Sequence, residues 1–562
     1  MKNDDLYRKP LTTAVALALG ALVAVPVLAQ DATDDDDETP LVLETVEVTG
    51  VRASLKRSMD YKRDSQGVVD AIVAEDIGKF PDQNLAEALQ RITGVSISRN
   101  NNEGSQITVR GFGPEFNLVT LNGRTMPTQG GRAFDFLDIS SSAISAVEVL
   151  KTGRADLPTG GIGATVNLVT RRPMDAKDLR AFVTAKAVYE TSAGDGNLGG
   201  LDEITPEIAG LYSNTFFDDT IGIQVSASYE ERHNREEYAN VTRWNQNYGL
   251  DGGTVQDNNQ RADGVWWHPQ DAGYGFSDIK RERTNAQGVF QWAPTDTFTA
   301  TVDYTYSEVD FEKDTNSFGI WFANPNVRAV VNERGTVTSV TQSGGDYASN
   351  VARDHTIKEN NSLGLNLQWE PTDTLSFELD AHDSDSTLKG AGLGDGVPGS
   401  SANLIVGNTF CDWCGTVPGA GPSTATIDEK TATYGGGGIP IWGATFRSTE
   451  TGELQDFLLR SDIGSLFGQA FDLDNKNDIT QIQLKGRWDN DNASSHFASV
   501  DFGVSWTDQE FVNQNAFSGL LPAGFWLTSA QYWNDDEWEL RDFSGLLDDF
   551  GNAGNFPVSQ YY

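Results

Sequence analysis

Leu363-Gly364-Leu365-Asn366-Leu367-Gln368-Trp369-Glu370-Pro371-Thr372-Asp373-Thr374-Leu375-Ser376-Phe377-Glu378-Leu379-Asp380-Ala381 decides the fold of this chain. Leu363, Leu365, Leu367 and Trp369 fall on one side of a strand, and Gly364, Asn366 and Gln368 on the other. Beyond a short turn, Leu375, Phe377, Leu379 and Ala381 alternate with Ser376, Glu378, Asp380 and His382. The turn has an echo: Gln291-Trp292-Ala293-Pro294-Thr295-Asp296-Thr297 repeats the pattern of Gln368 to Thr374. After that first copy, Phe298, Ala300, Val302, Tyr304 and Tyr306 alternate with Thr299, Thr301, Asp303 and Thr305. Ile221, Ile223, Val225, Ala227 and Tyr229 form a similar strand. A later hairpin pairs Ile482, Leu484 and Trp488 with Val500, Phe502, Val504 and Trp506 across Asp489 to Ala493.

Alternation alone fits a soluble sandwich, with its apolar side inward, or a membrane barrel, with its apolar side toward lipid. Three features favour the barrel. The strands approach the ten or so residues that cross a bilayer at a tilt. Trp292, Trp369 and Trp488 sit beside the short turns, where an interfacial aromatic girdle belongs. Short turns also alternate with long connections, read here as Asp310 to Lys358 and Ser386 to Asp478.

Working outward, the first residues are a targeting segment. Lys2, Arg8 and Lys9 precede an Ala/Leu/Val run from Leu11 to Leu28, and Ala29 offers a cleavage site, so residues 1–29 read as a secretory signal peptide. Residues 30–64 follow as a linker, nearly all acidic or small over Asp31 to Glu38. Within it, Glu44, Thr45, Val46, Glu47 and Val48 form a short extended stretch that a partner's sheet edge can pair with. The formal charge of −40 repels phosphate backbones and argues against nucleic-acid binding. Cys411 and Cys414, in a Gly/Pro/Thr-rich stretch of an exported chain, read as a small disulfide. The five histidines, His233, His268, His355, His382 and His496, show no metal-ligand spacing, and no catalytic constellation or cofactor motif is evident.

Between the linker and the hairpins, residues 65–173 read as a small α+β domain. Val68 to Ala74 suits a strand. Asn84 caps a helix, with Glu87 placed for a capping box and Leu85, Ala88, Leu89 and Ile92 facing inward to a stop at Gly94. Short strands follow at Val95 to Ile97, Ile107 to Val109, Val119 to Leu121, Ile144 to Leu150 and Ala164 to Thr170, with a hairpin turn at Asn122-Gly123. Gly160-Gly161-Ile162-Gly163 precedes a strand, not a helix, and lacks the Lys-Ser/Thr ending of a phosphate loop, so tight turns are the reading. Arg110, at a strand end, stays open between a buried ion pair with the barrel and a solvated position.

Several ordered blocks resemble the TonB-dependent outer-membrane receptors, in the subgroup common in xanthomonads and caulobacters. They include Val48 to Leu55, Asp70 to Asp82, Leu85 to Ile92, Val109-Arg110-Gly111-Phe112-Gly113, Asn117 to Pro127 and Ala155 to Pro173. The resemblance implies an α+β plug domain (65–173) inside an antiparallel transmembrane β-barrel of 22 strands, begun here by residues 174–562. It implies that Glu44 to Val48 is the TonB box, gripped by TonB with its inner-membrane energising complex. It also implies an outer-membrane location in a Gram-negative cell, among lipid and lipopolysaccharide. Only about nine or ten strands are countable, too few to hold a plug, so an N-terminal fragment of a longer barrel is the expectation.

Such a receptor needs no enzyme activity, cofactor or resident metal. A surface adhesin or porin-like barrel would share the signal and the β pattern but needs neither handle nor plug. For the ligand, Trp244, Trp266, Trp267, Trp321, Trp413 and Trp442 fall in expected outer loops, where flat indoles suit sugar rings, though loop packing also accounts for them. Acidic loops disfavour anionic ferric chelates. The expected ligand is therefore an oligosaccharide, with a ferric siderophore as the alternative. On the plug, Phe112, Phe116, Gln129 and Arg132 are the candidates for contact with it.

Overall fold

The computed structural model describes residues 58–518, together with 541–542, 547 and 560–561. It leaves out 74–83, 140–143, 195–199, 247–253, 323–326, 409–424, 456–462, 492–496 and several stretches of one or two residues. Residues 1–57, with the expected signal peptide and Glu44 to Val48, therefore lie outside the described residues, as do Cys411, Trp413, Cys414 and His496.

The first layer is the small α+β unit. Its elements are β1 (Val69–Val73), α1 (Leu85–Leu89), β2 (Val95–Asn100), β3 (Glu103–Val109), β4 (Asn117–Leu121), β5 (Arg124–Thr125), β6 (Ile144–Leu150) and β7 (Ala164–Thr170). A five-stranded sheet runs β1-β6-β7-β4-β5, parallel only between β4 and β7, and β2–β3 form a separate hairpin. Asn84 caps α1, its side chain accepting the Glu87 N–H at 3.1 Å. The Glu87 carboxylate does not close a capping box; it pairs with Arg99 at 2.9 Å instead. Leu85, Leu89 and Ile92 pack with Ile107, Val119, Val147, Val166 and Leu168 in one core.

The second layer is a wall of long antiparallel strands. It begins with β8 (Arg180–Tyr189), β9 (Ile204–Phe216) and β10 (Ile221–Asn240). Short strands β11 (Trp244–Gln246), β12 (Thr254–Asp257) and β13 (Trp267–Pro269) follow, then β14 (Asp271–Thr295) and β15 (Phe298–Trp321). After β16 (Val327–Val331) and β17 (Val337–Gln342) come β18 (Tyr347–Thr372), β19 (Leu375–Gly390) and β20 (Ser401–Asn408). The series ends with β21 (Ala425–Thr433), β22 (Ile441–Ser448), β23 (Leu454–Gln455), β24 (Ile463–Asp489) and β25 (Ser499–Ser518). The wall reads β8-β9-β10-β14-β15-β18-β19-β24-β25, with β20 continuing the β19 position between β18 and β24. Both copies of the echoed turn close hairpins, β14–β15 and β18–β19. The last hairpin pairs Trp488 with Val500, Leu484 with Val504 and Ile482 with Trp506.

The connections are shorter than the sequence suggested, because the strands run well past the membrane. Asp310 and Lys358 both lie inside paired strands, and so do Ser386 and Asp478. The polarity of the outward side explains the misjudged ends. Val302, Tyr304, Leu363, Leu365, Trp369, Ile482, Leu484 and Trp488 are exposed on it, and Phe298, Leu367, Trp369, Phe377, Leu379 and Leu484 line a shallow apolar groove there. Further along, the same side turns acidic on a single line. Glu231 faces Glu282, Glu308 faces Glu359, and Asp385 faces Asp478, which faces Glu510. Directly opposed like charges are unfavourable and cannot sit in hydrocarbon. About 25 Å separates Trp369 from Glu359 along the membrane normal, at ~3.3 Å per residue and a ~40° tilt. That is the apolar band height of an outer-membrane barrel.

Beyond the acidic line the outward side becomes apolar again. Ala272, Tyr274, Phe276, Phe318 and Ile320 pack there against a six-stranded loop sheet, β12-β16-β17-β21-β22-β23. Trp442, an expected outer-loop indole, is 1% exposed at the centre of this cluster, stacked on Tyr274 at 5.4 Å, and Trp266 packs on its edge. Trp442 is thus packed beneath the loop sheet, whereas Trp266 is half-buried at its edge.

Candidate functional site

The α+β unit sits against the lumenal side of the wall, held by buried ion pairs. Asn122 and Gly123, at φ +54° and +82°, make the tight turn between β4 and β5 and present Arg124. Arg124 is 1% exposed. Nε donates to Asp380 Oδ1 at 2.8 Å and Nη2 to Oδ2 at 3.0 Å, while Nη1 lies 2.7 and 2.8 Å from the Asp303 oxygens. Asp303 is on β15 and Asp380 on β19, with β18 between them. There Gly364 pairs directly with Asp303, and a Cβ on Gly364 would lie 1.7 Å from Arg124 Nη1. The missing side chain is what lets Arg124 reach the wall and bridge two strands. Burial alone disfavours the charge on Arg124, but the two aspartates outweigh it and hold the guanidinium protonated.

A second cluster lies further from the short turns. Glu103, at the start of β3, pairs with Arg281 and with Arg283 (3.3 Å) of β14 and accepts from Asn84 Nδ2 at 2.9 Å. Arg283 also reaches Glu230 of β10 at 3.2 Å. Burial would raise the Glu103 carboxyl, yet the two arginines and Asn84 hold it below the usual carboxylate range. Lys358 of β18 pairs with Asp138 at 2.6 Å, and Ser307 donates to the Asp138 carbonyl. Burial pushes the Asp138 carboxyl up to about 6, with Lys358 opposing. Lys313 reaches Asn101 at 3.1 Å and Glu236 at 3.5 Å.

Arg110 makes no such pair. It is exposed, at φ +54°, and donates to the Lys151 carbonyl at 2.6 Å within the plug. The pairing residues were nevertheless marked in the sequence. Asp303 and Asp380 occupy equivalent positions, each six residues after the last threonine of an echoed turn and on the lumenal side of the second hairpin strand. Arg124 follows directly on the recognised Asn122-Gly123 turn.

The end of the plug sheet opposite that turn carries the expected ligand residues. Phe112 and Phe116, 41% and 49% exposed, pack edge to face at 6.2 Å. Arg132 joins them: its N–H donates to Glu115 at 2.8 Å and its Nη2 to the Gly160 carbonyl at 3.1 Å. Gly160 has φ +126° in the tight turn before β7, the structural role expected of that glycine run. Gln129 stands apart from this patch and faces the wall, donating to Ser386 at 2.7 Å. Trp244 and Trp267 are exposed on the paired strands β11 and β13, and Trp321 is exposed at the end of β15, where alternation directs it to the lumenal side. Asp202, Glu231 and His233 bring ligand atoms within 4.8 Å of one another. Both His233 nitrogens are engaged there, Nδ1 by the Asp202 N–H at 3.0 Å and Nε2 by Glu231 at 3.1 Å.

A plug latched to the lumenal side of a wall with an apolar outer band defines a plugged transmembrane β-barrel fold as the class of this protein. The family description "TonB-dependent Receptor Plug Domain" matches residues 61–165, the α+β unit described above. That match is confined to the plug residues; the chain is also similar, at 28% identity over 206 residues, to the ferric enterobactin receptor PirA of Pseudomonas aeruginosa, covering 34% of this chain and 27% of that one. It is 29% identical over 162 residues to the vitamin B12 transporter BtuB of Vibrio cholerae, covering 28% of this chain and 25% of that one. The chain thus matches only about a quarter of the length of these curated relatives. The solved siderophore receptor PirA of Acinetobacter baumannii aligns over 82% of this chain and 78% of its own, with 11% identity and a TM-score of 0.33.

Proposed function

We propose that this chain is the plug-bearing part of an outer-membrane importer of a Gram-negative bacterium, driven by TonB and its inner-membrane complex through Glu44 to Val48. The observation that carries the reading is the buried Arg124–Asp303–Asp380 latch, which fixes a folded plug to the lumenal side of a lipid-facing wall. A plug held by buried charge pairs does not leave by thermal motion alone. The outer membrane has no ATP or ion gradient, so the work must arrive mechanically, and an extended segment ahead of the plug is a grip for a partner's sheet edge.

The solute we propose is an oligosaccharide. The wall cations that face the plug, Arg281, Arg283, Lys313 and Lys358, are each already paired with a carboxylate, which leaves a multiply anionic chelate poorly matched. Exposed Trp244, Trp267, Trp321, Phe112 and Phe116 offer flat apolar surfaces to sugar rings. A ferric chelate is the second reading, favoured by the name of the enterobactin receptor among the relatives. Deleting 44–48 from the full-length protein should abolish uptake and preserve surface binding; unchanged uptake would overturn the importer reading. Tryptophan quenching by maltodextrins or chito-oligosaccharides, but not by ferric chelates, is the expected ligand result, and a response to iron complexes alone would reverse it.

A further inference from the structure

The plug meets the wall in two chemically different ways. Toward β14, β15 and β18 the contacts are the buried ion pairs. Toward β24 and the far half of β19 they are single neutral hydrogen bonds. Gln483 donates to the Gly123 carbonyl at 3.3 Å, Gln481 accepts from the Thr125 N–H at 3.3 Å, and Asn477 donates to the Thr128 carbonyl at 2.8 Å. Gln129 donates to Ser386 at 2.7 Å, and His382 Nε2 lies 3.3 Å from the Thr125 carbonyl. Past Asp380, the lumenal positions of β19 are His382, Ser384, Ser386 and Leu388, with no charged residue among them.

Along this strip several buried polar atoms lack a partner. His382 Nδ1 and Asn475 Oδ1 belong to side chains 4% and 7% exposed, and Gln129 Oε1 and Asn360 Nδ2 are likewise unpartnered. Asn360 pairs across the sheet with Ser386, to which Gln129 donates, so these atoms share one locality. With Nε2–H donated to Thr125, His382 Nδ1 is an acceptor, as are Gln129 Oε1 and Asn475 Oδ1, whereas Asn360 Nδ2 is a donor. Buried groups of this kind are ordinarily satisfied. A hydroxyl both donates and accepts, and so meets both needs. Arg124 and Lys358, the charges bordering the strip, are already paired with Asp303 and Asp380 and with Asp138, so a charged solute would be desolvated here without a free counter-charge from either.

We propose that this seam, between Thr125–Gln129 of the plug and the β18–β19–β24 wall, is an internal binding strip for a neutral, hydroxyl-bearing solute, distinct from the exposed aromatic patch. It deepens the import reading and rests on it: the plug gives way on its neutral side while the ion pairs hold the other, and the solute's hydroxyls replace the amide contacts.

The test uses Ser386→Cys and, independently, Ser384→Cys in the full-length protein in cells, with Asn101→Cys on the ion-paired side as reference. Each is labelled with a neutral polyol-bearing maleimide and with a sulfonated maleimide of similar size. At the seam positions the neutral reagent should react at least tenfold faster than the sulfonated one, with no such preference at Asn101→Cys. Equal rates at the seam, or no labelling there by either reagent, would overturn the strip. Repeating the measurement after deletion of 44–48 separates the two claims. A seam rate that falls on deletion supports energised opening. A rate that keeps its neutral preference and ignores the deletion retains the strip but counts against the import reading.

Discussion

Replacing Arg124 with Met removes the cation from between two buried carboxylates and keeps much of the side-chain volume. Asp303 and Asp380 are 5% and 6% exposed, so neither can recover its lost hydrogen bonds from bulk water. Breaking a buried pair by deleting one partner costs about 3–5 kcal/mol. On the plug-docking equilibrium that is roughly two to four decades. Hydrogen exchange in the full-length protein reads it locally, because the Thr125 N–H is bonded to Gln481 of the wall and is released only on undocking. Protection over residues 122–129 should fall by about 10²-fold or more in Arg124→Met. The triple variant Arg124→Met, Asp303→Asn, Asp380→Asn removes the stranded charges and should regain most of that loss, since replacing a whole buried charge cluster by neutral groups is often close to neutral. Protection within about threefold of the parent in the single variant, or a triple variant as labile as the single, would refute the latch.

Gly364→Ala should undo the same latch from the wall side, because its Cβ would overlap the guanidinium; exchange over 122–129 should rise with β18 still paired, and an unchanged pattern would count against the close approach. Leu365→Arg places a charge in the lipid-facing band and should destabilise the protein by about 2–4 kcal/mol in a bilayer-folding titration, and a cost near zero would remove that residue from the hydrocarbon. Docking should also depend on acid through Glu103. Its carboxyl lies below the ordinary range when docked, so its contribution is complete at neutral pH and lost as pH falls below about 4.3 and on through the depressed value. Glu103→Gln should flatten that acid limb in the same exchange assay; a limb of unchanged slope would assign it to other carboxylates.

The importance of Arg124 and Gly364 shows where sequence reading stopped. Gly364 looked like one more small residue on a polar strand side, and Arg124 like the residue after a hairpin turn. Their roles exist only because residues far apart in sequence, on β5, β15, β18 and β19, converge on one point. Gln129, a candidate for ligand contact, stands apart from the aromatic patch and lines the seam between plug and wall. Strand ends were misplaced for a related reason. Where the strands leave the membrane, the alternation continues but its outward residues become Glu, Asp and Lys, so the apolar signal fades while the pairing persists.

By itself the sequence determined the period-two pattern, the echoed hairpins, the cap and turns of the plug and the Trp line beside the short turns. Each of these is a property of residues within one or two strands, where side-chain direction follows from local backbone geometry. Only the tertiary structure decided which polar residues face the plug, which aromatic residues are buried beneath the loop sheet, and which charges meet. Those outcomes depend on how a strand's lumenal side is matched by another layer, and alternation fixes the side without naming its partner.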